Sequence, residues 1–166
     1  EDGYDFTDGR TTLREAIHYV ESGKSLGQTI TFAPDLAGQT ILLDSSLRTN
    51  ASLTIDAEDV PGVKIDAQGR DRILWVGDHS LTKVLEVTLI GLTFTGGRIN
   101  AGSGGAIYNN HENLTIVRSV IADNAAASGG GIYNSGTLSI TDSTLLGNSA
   151  ENGGGAIFNS GTLAIT

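Results

Sequence analysis

From residue 104 onward, apolar and polar positions alternate in short pieces, each closed off by Gly, Asn or Ser. Across residues 130–154, Ile132-Tyr133 is followed by Asn134-Ser135-Gly136. Leu138-Ser139-Ile140 leads to Thr141-Asp142-Ser143, and Thr144-Leu145-Leu146 to Gly147-Asn148-Ser149 and a Gly-rich close. A period of two over so few residues predicts strands, and the Gly, Asn and Ser between them predict turns. The unit then repeats. Gly105-Ala106-Ile107-Tyr108-Asn109 returns as Gly130-Gly131-Ile132-Tyr133-Asn134 and as Gly155-Ala156-Ile157-Phe158-Asn159, a step of 25 residues each time. A fixed period of this size marks stacked units, because no single unit can bury its apolar side chains alone. The predicted fold is all-β, a parallel β-helix of about five coils, with three short strands and three turns per coil and coils roughly 4.8 Å apart.

The phase extends backward into three predicted columns. One holds Ile41, Ile73, Ile107, Ile132 and Ile157, and a second holds Leu53, Val87, Leu114, Leu138 and Leu163. The third holds Ile30, Val63, Leu92, Val120 and Leu145. The early coils are longer and less regular, and their extra residues belong in turns, where insertions cost little. Asn109, Asn134 and Asn159 recur in register, as do Asn124 and Asn148. Stacked amides can hydrogen-bond from coil to coil, or Asn can serve by tolerating left-handed turns; both roles are structural, and neither calls for catalysis.

Residues 1–29 read as an N-terminal cap and 30–166 as the β-helix, with regular repeats of about 25 residues from 104 onward. Thr12-Leu13-Arg14-Glu15 has the form of a capping box. Leu13, Ala16, Ile17 and Val20 then share one helical face, and Ser22-Gly23 marks the end. A short amphipathic helix there would lid the open end of the first coil. His18 reads as a half-exposed helix residue.

The segment Thr11-Thr12-Leu13-Arg14-Glu15-Ala16-Ile17 resembles the Cys-Ser-Leu-Arg-Glu-Ala stretch that names the CSLREA domain family. Ile30-Thr31-Phe32-Ala33-Pro34, Gln39-Thr40-Ile41, Leu53-Thr54-Ile55, Leu92-Thr93-Phe94-Thr95-Gly96-Gly97 and the Gly-Gly-x-Ile-Tyr-Asn repeats continue the resemblance over nearly the whole chain. It implies a right-handed β-helix of the pectin-lyase-like kind, found in large secreted or surface-attached bacterial proteins. It does not imply an enzyme. Thr11-Thr12 stands where that family has Cys-Ser, which keeps the helix start and removes the thiol.

Composition narrows the function. The 166 residues fit one domain, and the absence of Met reads as a mature form or an excised piece. With no Cys there is no disulfide and no thiol chemistry. No transmembrane run is visible, so direct membrane insertion is not expected. The net charge of −9 argues against nucleic acid and anionic lipid. Residues 1–100 hold 15 of the 19 acids and 9 of the 10 Lys and Arg, so the repeats are nearly neutral and rich in Ser, Thr and Asn.

Candidate chemistry is sparse. Asp56, Glu58, Asp59 and Asp66, with Lys64, Arg70 and Arg72 nearby, form the densest charged cluster. Two carboxylates at a suitable spacing can hydrolyse a glycoside, and a carboxylate beside a cation can abstract a proton next to a uronate. Polar turns explain the same residues without chemistry. His79 and His111 are isolated, and no zinc, calcium-repeat or phosphate-loop pattern is present, so no metal and no cofactor is expected. Trp75, Tyr108, Tyr133 and Phe158 fall in the first column, one residue after or before its inward positions. Facing outward, they make an aromatic ladder that could bind carbohydrate or a partner; alternatively the rings stack on one another and shield the strand edges, or turn inward.

The reading that results is a non-catalytic structural or adhesive module of a large secreted or surface protein. The alternative is a carbohydrate-active enzyme, a polysaccharide lyase or glycoside hydrolase, or a fragment of one. An ice- or crystal-binding face built on Thr137, Thr141, Thr162 and Thr166 is a third class, with irregular spacing. Gly161-Thr162-Leu163-Ala164-Ile165-Thr166 runs partway into a further coil, so the expected partners are more coils of a longer parent chain or another copy at that end.

Overall fold

The computed structural model describes residues 11–24, 27–78 and 83–166. Its strands form four sheets in which every pairing is parallel. Sheet 1 stacks Thr29–Thr31, Leu53–Asp56, Glu86–Ile90, Asn113–Val117, Thr137–Thr141 and Thr162–Ile165. Sheet 2 stacks Thr40–Leu42, Lys64–Asp66, Thr93–Thr95, Val120–Ala122 and Thr144–Leu146. Sheet 3 stacks Leu47–Thr49, Leu74–Val76, Ile107–Asn109, Ile132–Asn134 and Ile157–Asn159. The chain visits the three in turn and returns one layer along, which makes a β-solenoid of about five coils.

The later coils carry a fourth strand that the hydrophobic pattern did not mark. Arg98–Ser103, Ala125–Ser128 and Ser149–Gly153 form sheet 4, between sheets 2 and 3. These stretches are Ala, Ser, Asn and Gly with little apolar alternation, so period-two reasoning had nothing to detect. The chain turns from sheet 4 into sheet 3 at Gly104, Gly129 and Gly154, whose φ values are 70°, 61° and 64°. A Cβ at these positions would meet the carbonyl oxygens of Ile107, Ile132 and Ile157, so the repeated glycine is required at that bend.

The predicted second column is the observed one: Leu53, Val87, Leu114, Leu138 and Leu163 are successive partners in sheet 1. The other two columns need correction in the irregular coils. Ile107, Ile132 and Ile157 do stack, but their partner in the coil before is Leu74, not Ile73, and Leu74 in turn pairs with Leu47. Ile73 and Leu74 are adjacent, both buried, and both donate their N–H to Ala106 O, so polarity along the chain could not choose between them. Ile41 belongs to sheet 2, opposite Ile65. The centre of sheet 2 is Ile41, Ile65, Phe94, Ile121 and Leu145; Val63 and Leu92 are buried one step ahead of their strands, and Val120 flanks the centre. Ile30 lies in sheet 1, against Ile55. The extra residues of the early coils do lie in turns. The corner from sheet 1 to sheet 2 spans 32–39 and 57–63 in the first two coils and shrinks to 118–119 and 142–143 later.

The inward side chains form one continuous core along the axis, from Leu13 and Ile17 at one end to Leu138 and Ile140. Residues of the last strands, among them Ile157 and Leu163, are only partly covered.

The helix α1, Leu13–Glu21, lies over the first coil as the pattern predicts. Thr12 Oγ1 accepts the N–H of Glu15 at 3.2 Å, and Glu15 Oε2 accepts the N–H of Thr12 at 2.8 Å, which completes the capping box. The helix closes at Ser22, ahead of Gly23 with φ 69°. Leu13 and Ile17 are buried against the core. Arg14 fastens the lid by donating to Ser46 O at 3.0 Å and Ser45 O at 2.7 Å, and Glu21 accepts the N–H of Asn50 at 3.0 Å. Residues 1–10 of the predicted cap lie outside the described residues.

Candidate functional site

On sheet 3 the residue between two inward positions must face out. Leu74 and Val76 are buried, and Trp75 between them is half-buried on the outer side. Strand register then places Trp75, Tyr108, Tyr133 and Phe158 in one outward column. Their rings stack with centroids 4.5, 4.9 and 5.2 Å apart and interplanar angles of 19°, 5° and 3°. The coil spacing sets this distance, so the ladder follows from one aromatic at the same repeat position in each coil.

Two arginines close its N-terminal end. Arg48 is the register partner of Trp75 in the first coil and holds its guanidinium 5.3 Å from the Trp75 ring. Its signal in the sequence is the flanking pair of inward residues, Leu47 and Thr49, and the misplaced column start at Ile41 hid it. Arg72 lies 5.1 Å from both Trp75 and Tyr108 and donates from Nε to Gly104 O at 2.9 Å and from Nη2 to Ser103 O at 2.7 Å. The N–H of Arg98, at the start of sheet 4, goes to Asp71 O. Asp71 and Arg72 together therefore cover the edge where sheet 4 begins. Burial pulls the Arg72 pKa below its ordinary value, opposed by the charge of Asp71 and by Tyr108, and aided by Arg48. Burial raises the Tyr108 pKa, Tyr133 adds to the rise, and Arg72 opposes it. A cleft of ≈ 530 Å³ opens beside Arg48 and Trp75, bounded on its other side by Arg14 and Glu21 of α1.

The recurring asparagines make a second ladder, inside the wall. Asn109 Nδ2 donates to Asn134 Oδ1 and Asn134 Nδ2 to Asn159 Oδ1, both at 2.7 Å. Each amide also donates to backbone carbonyls, as Asn134 does to Gly136 O and Thr162 O. Asn124 Nδ2 donates to Asn148 Oδ1 at 3.0 Å and Asn124 Oδ1 accepts the N–H of Gly97 at 2.8 Å. Left-handed backbone falls instead on Gln68, His111, Arg118, Asp123 and Asp142 among the non-glycine residues described. The asparagines are thus coil-to-coil connectors.

The charged cluster comes apart in space. Asp56 ends a sheet 1 strand and Asp66 a sheet 2 strand, so they sit at different corners. Asp56 Oδ1 accepts the N–H of Glu58 at 2.8 Å and Asp66 Oδ1 that of Gln68 at 2.6 Å, the geometry of turn residues. Glu58 pairs with Arg118 at 2.8 Å and Arg70 with Asp44 at 3.1 Å, all largely exposed. His18 and His111 are exposed at opposite ends of the early coils, and His79 lies outside the described residues. Among the described residues no three of His, Cys, Asp and Glu converge, and no helix is long and apolar enough to cross a membrane.

Residues 142–160 match the Chlamydia polymorphic membrane protein repeat. That stretch holds the last bend glycine, Gly154, and the C-terminal members of both ladders, Phe158 and Asn159. No curated protein and no solved structure matches the chain.

Proposed function

We propose that the chain is a non-catalytic β-solenoid module of a large surface or secreted protein, a spacer that holds other parts of that protein away from the cell. The observation that carries this reading is how the repeat residues are used. Ile, Asn and aromatic side chains at fixed positions bond or pack mainly with the same residue one coil away. Such a wall propagates stiffness along an axis. The match to a repeat of a membrane protein family supports a place at a cell surface. The helix start at Thr12 and the coil pattern support the CSLREA, pectin-lyase-like assignment.

An adhesive role rests on the ladder. Trp75, Tyr108, Tyr133 and Phe158 are half-exposed, and carbohydrate or a protein partner would meet them on the outer face of sheet 3. A sugar ring stacks on an aromatic face, and here the faces between neighbours are taken by other rings and by Arg48. Recognition would therefore use ring edges, the tyrosine hydroxyls and the arginine-flanked cleft. Further coils of a parent chain or a second copy are the proposed partners at the final coil, where Leu163 is only partly covered and Ile165 is exposed.

A turnover screen on uronate and neutral polysaccharides, run with antibody labelling of intact producing cells, tests the reading. No turnover and labelling of unbroken cells are expected. Saturable cleavage of any polysaccharide would replace the module with a lyase or hydrolase, and labelling only after lysis would remove the surface assignment.

A further inference from the structure

Among the asparagines of the chain, Asn152 alone is followed by glycine, Gly153. It is also set apart by its bonding. In the ladders the side-chain amides are committed: Asn109, Asn124, Asn134, Asn148 and Asn159 all donate from Nδ2 to carbonyls or to the next amide. Asn113 Nδ2 donates to Glu86. Asn152 is exposed, and its side chain makes no hydrogen bond to a described residue.

The backbone at this point is loosened as well. In sheet 4, Ala126 faces Ala150 and Ser128 faces Gly153, so Ala127 alone stands opposite Glu151 and Asn152. That is a β-bulge, in which an extra residue is left out of the ladder and the pairing is locally broken. Gly153 has φ 149°, in the region that favours glycine. A Cβ there would meet only the Phe158 ring, at 3.9 and 4.0 Å, so the space beside this residue is open.

These neighbours define a reaction. A deprotonated backbone nitrogen is a nucleophile, and that of Gly153 is close along the chain to the side-chain carbonyl carbon of Asn152, with no side chain of its own in the path. We propose that Asn152 is a site of spontaneous chemical modification. The Gly153 nitrogen bonds to Asn152 Cγ. The bond from Cγ to the side-chain nitrogen breaks, and that nitrogen takes up the displaced proton through solvent and leaves as ammonia. Water then opens the cyclic imide. Cleavage at Cγ gives aspartate; cleavage at the main-chain carbonyl gives isoaspartate, with the chain rerouted through the side chain. Either product adds a negative charge next to Glu151, in the half of the chain that is nearly neutral. Isoaspartate also lengthens the main chain just ahead of Gly154, whose bend, at φ 64°, leads into sheet 3 and the ring of Phe158. The site therefore ages with the protein and loosens its own coil, a property independent of surface display.

The test is peptide mapping by mass spectrometry of the folded protein after incubation in mildly alkaline and mildly acidic buffer. Electron-transfer fragmentation tells isoaspartate from aspartate, and a synthetic peptide of residues 150–155 is the unfolded reference. Asn152 should convert at a rate within about tenfold of the peptide, faster in alkali and with isoaspartate among the products. Asn109, Asn134 and Asn159 should stay amides. Asn152→Gln, exposed and outside the ladders, should fold and keep its amide, because the longer side chain closes a less favourable ring. A rate more than about tenfold below that of the peptide would overturn the proposal. So would equal loss at Asn134, or aspartate with no isoaspartate, which is the mark of direct hydrolysis without Gly153.

Discussion

Replacing Arg72 with Met separates what the guanidinium does from what its stem does. Arg72 is 9% exposed, and Met keeps most of the buried aliphatic length. What is lost is the pair of bonds to Ser103 O and Gly104 O and the contacts with the Trp75 and Tyr108 rings. Leaving two carbonyls without a donor costs about 1–3 kcal/mol each. The two ring contacts add about 0.5–1 kcal/mol each. Against this, Met removes the need to strip water from a charge, a penalty of several kcal/mol for a buried ion. That desolvation is real here, since burial is the largest influence on Arg72 and pushes its pKa down. The balance is a net loss of roughly 2 kcal/mol. Arg72→Lys should fall between Met and wild type, because a single ammonium cannot both bridge two carbonyls and lie flat on two rings. Urea unfolding can be followed by the fluorescence of Trp75, the one tryptophan in the chain, which reports directly on the coil that Arg72 closes. If Arg72→Met unfolds within about 0.5 kcal/mol of wild type with unchanged Trp75 emission, the guanidinium is not what seals the start of sheet 4.

Three further outcomes follow from the stacking. Ile132→Ala should cost roughly 2–5 kcal/mol in denaturant titrations, and Ile157→Ala less than half of that, because Ile132 is fully buried and Ile157 only partly. Asn134→Ala removes donors to Gly136 O, Asn159 Oδ1 and Thr162 O. It should cost about 2–4 kcal/mol and speed amide exchange in the adjoining coils, so unchanged exchange there would count against the amide ladder. Leu13→Asp with Ile17→Asp should lift the helix from the first coil and cause aggregation visible by light scattering; a soluble and equally stable double variant would mean that α1 is not a lid.

The regular coils were legible because the period carried the information. One aromatic, one Ile and one Asn at a constant spacing fixed sheet 3 of the last three coils, and the Leu53 to Leu163 column held along the whole solenoid. The early columns slipped where local sequence offered two apolar neighbours, as at Ile73 and Leu74, or where long corners hid the layer count, as at Ile41 and Ile30. In a strand a one-residue slip reverses every side chain, so small errors there mattered. Sheet 4 escaped because Ala, Ser and Gly carry little polarity contrast. Arg48 escaped with its column. Arg72 was visible only as part of a charged cluster, and Glu112 not at all, because their partners are backbone groups 27 to 32 residues away, and no side-chain pattern encodes those.

The regular and irregular coils differ in how their ladders end. A ladder is strongest where neighbours are identical, and it must stop where they differ. The aromatic ladder stops at Arg48, and the amide ladder stops at Val76, both in the first two coils. A terminated ladder leaves a valence open: a ring face in one case, an amide oxygen in the other. The ring face is closed by a cation, Arg48, at 5.3 Å. The amide oxygen, Asn109 Oδ1, is buried and has no hydrogen-bond partner among the described residues. The same coils hold the long corners from sheet 1 to sheet 2, 32–39 and 57–63. If the module recognises a partner as proposed, the irregular end with its arginine-flanked cleft is where the ladders leave groups unshared, while the repeats are built from like neighbours. Swapping one regular coil for a consensus copy should leave binding properties unchanged, whereas the same swap in the second coil should alter them. Equal effects from both swaps, measured as binding to a common glycan array, would refute that difference between the two ends.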